Sequence, residues 1–254
     1  MSGTKGTVFQ RRWRENKSPS QSFVLLLLFM IGGTSSVVAQ PGTPDAVHSL
    51  TFGEGGGRGE ANLPDNVLGL PDVSARDDVP TIDPAQVLSL GLGGEIVLRF
   101  DQTMIVDGPG VDFTVFENPF VYTLGGKERV YAEPGEVSVS QDGIEFFPFP
   151  FDSLSLQGCA GVTPTRGDMN PRNPAISGGD GFDLAEIGLD SVRFIRIRDV
   201  TATVKKNSAH PFYDATVNGF DLDAVVGVNV LFLDDNLTGV ENQRSGGGAS
   251  LDLR

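Results

Sequence analysis

Hydrophobic and polar positions alternate in short bursts along this chain, and a polar, glycine-rich break follows each burst. In "GGEIVLRF", Ile96, Leu98 and Phe100 alternate with Glu95, Val97 and Arg99, the period of a half-buried strand. "HSLTFG" reads as an opening strand and "DFTVFE" as a strand soon after "GGEIVLRF". In "EVSVSQDGIEFFPF", Val137 and Val139 alternate with Glu136, Ser138 and Ser140, and Asp142-Gly143 then predicts a hairpin turn. "SVRFIRIRDV" changes phase: Val192 and Phe194 share one register, Ile195 and Ile197 the other. Either both faces are partly covered or a bulge re-aims the strand. "GFDLDAVVGVNVLFL" is the last and most apolar run, long enough to be a central strand.

The breaks are as informative as the bursts. "GEGGGRGEANLPDNVLGLPD" and "GCAGVTPTRGDMNPRNPAISGGDGFD" are too polar and too punctuated for regular elements and read as long loops. Helical signal is confined to "DLAEIG", enough for one turn. Many short strands, long loops and almost no helix predict an all-β fold, a β-sandwich or jelly roll.

The N-terminus changes the picture of where such a domain works. Arg11, Arg12, Arg14 and Lys17 precede the apolar run "FVLLLLFMIGG", and "TSSVVAQ" supplies small residues before a cut expected between Ala39 and Gln40. That is the three-part layout of a secretory signal peptide, and the apolar run is shorter than the about 20 residues of a membrane span. The expected organisation is a signal peptide (1–39), one β domain (40–233) and a flexible tail (234–254), with no membrane span in the mature chain and a secreted, cell-surface or periplasmic location. Removal of residues 1–39 takes five basic residues and one acid, leaving 215 residues with 14 basic and 32 acidic groups, a net charge of −18. Such a surface disfavours nucleic acid and anionic membranes and favours cations.

Candidate chemistry is sparse. Cys159 is the only cysteine and His48 and His210 the only histidines, which excludes an intrachain disulfide and the usual zinc sites and leaves Cys159 as a buried thiol. The tripeptide Arg166-Gly167-Asp168 reads as a chance occurrence in a loop of this composition. Acids and amides, by contrast, cluster: Asp107 and Asp112 around "GPGV", Glu117-Asn118, Asp180 and Asp183 in "GGDGFDL", and Asp221 and Asp223 in "GFDLD". Calcium takes six to eight oxygens of these kinds in flexible geometry, so these eight residues are candidate ligands of a structural calcium, although the spacing is not that of an EF-hand. The alternative is that they cap turns and solvate edges. "GFDL" occurs twice, at 181–184 and 219–222; in the second copy, Phe220 and Leu222 would enter the core while Asp221 and Asp223 face away. Glu117 and Glu133 are the pair a glycoside hydrolase would use, but no catalytic motif accompanies them and the chain reads as a non-enzyme.

The blocks "NVLGLPD", "LSLGLGGEIVLRFD", "VDGPGVDFTVFENPF", "AEPGEVSVSQDGIEF", "GCAGVTP", "GGDGFDLAEIGL", "RFIRIRDV" and "GFDLDAVVGV", running from about Asn66 to Val230, resemble a family of secreted bacterial cell-surface proteins. Its members often carry sorting signals of the PEP-CTERM or type IX kind on a domain similar to a galactose-binding-like (discoidin-like) jelly roll. The resemblance implies an extracellular β-sandwich, often with a structural calcium, in a superfamily where many members bind carbohydrate. The segment after Leu233 lacks a Pro-Glu-Pro motif with a span and basic end, so surface anchoring, free secretion and periplasmic residence stay open. A module that binds glycan or another surface polymer is the expected function, with a ligand-free structural or adhesion module as the alternative. Trp13 leaves with the signal peptide, so Tyr122, Tyr131, Tyr213 and exposed phenylalanines are the aromatic platforms available to a sugar.

Overall fold

The computed structural model describes residues 40–233; the signal-peptide and tail expectations lie outside the described residues. Fifteen strands lie among the described residues. The first eight are β1 (Ala46–Thr51), β2 (Leu88–Ser89), β3 (Glu95–Arg99), β4 (Thr103–Val106), β5 (Phe113–Phe116), β6 (Phe120–Leu124), β7 (Lys127–Tyr131) and β8 (Gly135–Ser140). There follow β9 (Phe147–Pro148), β10 (Asp180–Phe182), β11 (Ser191–Val192), β12 (Phe194–Asp199), β13 (Asp221–Leu222), β14 (Ala224–Gly227) and β15 (Val230–Phe232).

One layer is the antiparallel sheet β1-β3-β12-β8-β9. The other is built from β10-β5-β14 and β11-β4-β15, accompanied by the pairs β13-β2 and β6-β7. The alternation in the sequence becomes a cross-strand stripe: Ile195 lies between Leu98 and Val139, and Ile197 between Ile96 and Val137. These six side chains meet Phe113, Val115, Phe182 and Val225 of the second layer in one buried cluster. Burying such a side chain stabilises by about 1.5–3 kcal/mol, so this stripe is what holds the layers face to face. The fold is an antiparallel β-sandwich with long loops, as the periodicity implies.

The phase change in "SVRFIRIRDV" has a geometric cause. Val192 pairs with Ile105 in the second layer, and Phe194 pairs with Arg99 and Ser140 in the first, so the chain changes layers across the single residue Arg193. Its neighbour turns the same corner: β3 belongs to one layer and β4 to the other, and Phe100 donates its N–H to the Arg193 carbonyl at 2.8 Å between them. Strands that pass between layers at a bend are the corners of a sandwich. Phe194 consequently points outward, where its ring packs edge-on against His48 at 5.1 Å.

Two expectations need correction or refinement. The apolar run 219–233 is three short strands, β13, β14 and β15, each paired in a different sheet, and it is not one central strand. The Asp142-Gly143 hairpin forms between β8 and β9 with a wider loop than two residues. Asp142 there accepts the N–H groups of Ile144 at 2.8 Å and Glu145 at 3.1 Å, while the Ser140 hydroxyl accepts that of Gly143 at 2.9 Å. "DLAEIG" makes its turn as a 3-10 segment, Leu184–Ile187, capped by the Asp183 carboxylate, which accepts the Ala185 N–H at 2.9 Å. No helix among the described residues is long and apolar enough to cross a membrane.

Candidate functional site

β5 is the hinge of the acid arrangement. It pairs with β10 on one side and β14 on the other, and all four of its residues are buried. Asp112 precedes it and Glu117 follows it, about 17 Å apart along an extended chain. The two "GFDL" copies flank these opposite ends. Phe182 and Leu184 enter the core beside Phe113, leaving Asp183 near Asp112; Phe220 and Leu222 enter the same core and leave Asp221 beside Glu117. The expected alternation of Phe220 and Leu222 against Asp221 and Asp223 therefore holds, but both acids are buried as well. The loop acids Asp107 and Asp112 do not meet Asp221 and Asp223, which lie at the other end of β5.

At the first end, Asp107, Asp112 and Asp183 each place a carboxylate oxygen within 4.8 Å of the others. Asp112 is fully buried and occupied: Oδ1 accepts the Gly108 N–H at 2.9 Å and the Asn229 side-chain amide at 2.7 Å, and Oδ2 accepts the Leu184 N–H at 2.8 Å. It ties three loops together as a hydrogen-bonding clasp.

Two candidates are engaged elsewhere. Asp180 accepts the N–H groups of Val162 at 3.0 Å and Thr163 at 3.3 Å, and burial pushes its carboxyl up to about 6. Asp223 accepts the Asp72 N–H with both oxygens at 3.1 Å, and burial pushes it up to about 8.

At the second end, Glu117, Asn118 and Asp221 come together with Glu133. Glu117 is 1% exposed, Glu133 3% and Asp221 8%. Glu117 Oε1 accepts the Asp221 N–H at 3.0 Å, and Asn118 donates its amide to Asp221 Oδ2 at 3.3 Å and to the Thr81 carbonyl at 2.9 Å. Glu133 Oε1 accepts the N–H groups of Asn218 and, at 2.9 Å, Gly219. Gly219 is required there: its φ is +121°, and a Cβ would lie 2.4 Å from the Gly91 carbonyl carbon. Glu117 Oε2 and Asp221 Oδ1 are buried and have no partner. Ser89 lies opposite Asp221 in the β13-β2 pair, yet no hydrogen bond of ordinary geometry joins them.

Burial, followed by the charges of Glu133 and Asp221, raises the Glu117 carboxyl well above the usual carboxylate range. Burial likewise raises Asp221 and pushes Glu133 up to about 7. Glu133 and Asp221 line a cleft of about 330 Å³ whose walls also include Arg58, Asn118, Phe120, Tyr131 and Asn218. The rings of Phe120 and Tyr131 are stacked, with centroids 5.1 Å apart and planes at 19°.

Sequence reasoning paired Glu133 with Glu117 only as a catalytic couple and left it out of the ligand set. Phe120, Arg58 and Asn218 it did not single out. Nothing in "AEPGE" marks Glu133 as buried, because its partners come from distant segments. Asp199 was also missed: its carboxylate accepts the N–H groups of Gly93 at 2.7 Å and Phe220 at 3.0 Å, fixing the approach to Asp221.

The remaining candidates are structural. Cys159 is buried and its thiol is pushed up to about 12, chiefly by burial, which makes it inert. Arg166 forms a bidentate pair with Asp77, at 2.7 and 2.9 Å, and Asp168 lies 3.5 Å from Arg76, so both charged members of the Arg-Gly-Asp tripeptide have internal partners.

No protein-family model matches the chain, and no curated protein matches it. Among solved structures it is similar to a pectin-binding carbohydrate binding module, with a TM-score of 0.30 and 12% sequence identity over 72% of this chain and 90% of that one. A similarity of that degree bears on neither ligand nor activity.

Proposed function

We propose that the protein is a secreted, non-catalytic β-sandwich that binds carbohydrate in the cleft at the Glu117 end of β5. The observation that carries this reading is the stacked Phe120–Tyr131 pair, which lines one cleft together with the buried carboxylates of Glu133 and Asp221. Sugars present apolar C–H faces and hydroxyl edges, and they are held where a rigid aromatic surface adjoins a few fixed polar groups. Here Tyr131 and Phe120 offer the surface, while Asn118, Asp221 and Arg58 offer acceptors and donors at its edge. Secretion rests on the layout of residues 1–39.

Hydrolysis by Glu117 and Glu133 is disfavoured by the same geometry. A general acid or nucleophile must reach the scissile bond, and Glu117 is 1% exposed, has one oxygen bound to the Asp221 N–H and does not line the cleft.

A glycan array with the secreted protein, repeated with Tyr131→Ala and Phe120→Ala, tests the reading. Binding by the wild type that falls at least tenfold in both variants supports it. Silence across the array in the presence of calcium sinks it and leaves the structural or adhesion module.

A further inference from the structure

We propose that the glycan-binding surface extends beyond the cleft, along the β6–β7 hairpin into a second hollow, and that it takes an extended run of an uncharged linear polysaccharide. The proposal rests on the carbohydrate reading of the cleft and adds to it the length and the charge of the ligand.

The hairpin register fixes which side chains share a face. Phe120 pairs with Tyr131 and Tyr122 with Arg129, so these four stand on one face, while Val121 and Val130 stand on the other. Phe120 is therefore adjacent to both tyrosines: its ring centroid lies 5.1 Å from that of Tyr131 and 6.0 Å from that of Tyr122. Phe120 and Tyr131 line the cleft already described. Tyr122 lines a separate hollow of about 330 Å³, together with Arg129, Val130, Pro211 and Phe212. One row of three rings joins the two hollows.

Residues 211–218 contribute to the walls of both. Pro211 and Phe212 border the outer hollow and Asn218 borders the cleft. Between them the Asp214 carboxylate accepts the Tyr122 hydroxyl at 3.2 Å, and the Thr216 hydroxyl meets that of Tyr131 at 3.4 Å. This wall is itself held in place. Asp214 accepts the Thr216 N–H at 2.8 Å, Phe212 donates its N–H to His210 Nδ1 at 3.2 Å, and Lys205 donates to the Val217 carbonyl at 2.6 Å. Both tyrosine rings are thus fixed at their hydroxyl ends before a ligand arrives, which lowers the ordering cost of binding. A row of rings with polar groups along its edge suits a chain of sugar units, each with an apolar face and a hydroxyl rim. A single terminal sugar would leave one hollow empty.

Charge decides which chain. Glu133, Asp214 and Asp221 border the row against Arg58 and Arg129, and Arg58 already donates to the Ile82 carbonyl. The protein as a whole carries a net charge of −14. A chain bearing uronates or sulfates would bring its anions against three carboxylates, whereas neutral hydroxyls can donate to them.

Calorimetry of the full chain tests the proposal with linear glucose-, mannose- and xylose-based oligosaccharides, from disaccharide to hexasaccharide, and with oligogalacturonates of the same lengths. A neutral series should bind with an affinity that rises about tenfold or more from disaccharide to hexasaccharide, and oligogalacturonates should bind more weakly than it does. Tyr122→Ala should cancel most of that rise. Tyr122→Leu, which keeps apolar volume without a ring face, should do the same if the alanine variant does not fold. Tyr213→Ala, at a tyrosine that lines neither hollow, should keep the wild-type profile. A neutral series that binds equally at every length, or a rise that survives loss of the Tyr122 ring, overturns the extended row and leaves the carbohydrate reading of the cleft standing. Preference for oligogalacturonates overturns the choice of an uncharged chain. Silence from every series overturns the proposal, and the glycan array then decides by itself whether the carbohydrate reading survives.

Discussion

Glu117 accepts the backbone N–H of Asp221 at 3.0 Å with one carboxylate oxygen, while its other oxygen is buried without a donor. Half of the side chain is structural, locking β13 to the end of β5, and half is unsatisfied. Glu117→Gln keeps the acceptor for Asp221, adds an amide donor and cannot ionise, where burial and the neighbouring acids already disfavour the charged carboxylate. In chelator this variant should be more stable than wild type by about 1–3 kcal/mol, the cost of an unsatisfied buried polar group. Urea unfolding measures it, and a variant less stable than wild type in chelator contradicts it.

Acid should stabilise the metal-free protein over a wide window. Glu133 at about 7, Asp180 at about 6 and Asp223 at about 8 all titrate above their ordinary values of 4.5 and 3.8. The native state thus holds more protons than the unfolded chain. The stability they contribute is fully present below about pH 4 and is lost as pH rises through about 6 to 8. Glu133 alone accounts for about 3 kcal/mol of this, at 1.4 kcal/mol per pH unit. Asp72 and Asp77 act in the opposite sense, since their carboxyls are lowered and the stability they contribute is lost only below about pH 4. In chelator the unfolding midpoint should peak near pH 4–5 and decline towards pH 8. A midpoint that rises between pH 5 and 8 in chelator contradicts the burial of these acids.

Asp112→Ala should be the most damaging change at the other end of β5. It strands the Gly108 and Leu184 N–H groups and the Asn229 amide at once, where losing a single buried partner already costs about 1–3 kcal/mol. A loss of about 3–5 kcal/mol in urea unfolding is expected. Asp107→Ala, at an exposed position, should stay within about 0.5 kcal/mol of wild type.

Gly219→Ala probes the backbone that supplies donors to Glu133. The residue sits at a φ few side chains adopt, and the added methyl meets the Gly91 backbone. A destabilisation of about 2–4 kcal/mol, read from the thermal midpoint, is expected; an unchanged midpoint means that the loop relaxes freely.

The layers of this fold were legible because alternation is local. Ile96, Leu98 and Phe100 announce which face of β3 is buried without reference to any other strand, and Val137 and Val139 do the same for β8. The phase change at Val192–Ile195 was visible too, but its cause was not, since a sheet corner is defined by the partner strand 95–106, about ninety residues away. The last apolar run misled for the same reason: nothing in "GFDLDAVVGVNVLFL" says that three different strands claim its parts. The acids follow this rule. Residue type identified Asp112, Glu117 and Asp221 as candidates, but which of them meet depends on the register of β5 with β10 and β14. Asp221 falls to the Glu117 end because its segment runs antiparallel to β5, with Ala224 opposite Phe116. Glu133 joins them through the loop after β7, a contact with no periodic signature.

The corner at Arg193 also constrains how the chain can fold. Because β3–β4 and β11–β12 each run through both layers, neither sheet can be completed before the other begins. Residues 95–106 must find residues 191–199 early, and closing a loop of that size is entropically expensive before any contact rewards it. Assembly of this sandwich should therefore be slow and all-or-none, with the bent pair as the step on which the remaining strands wait.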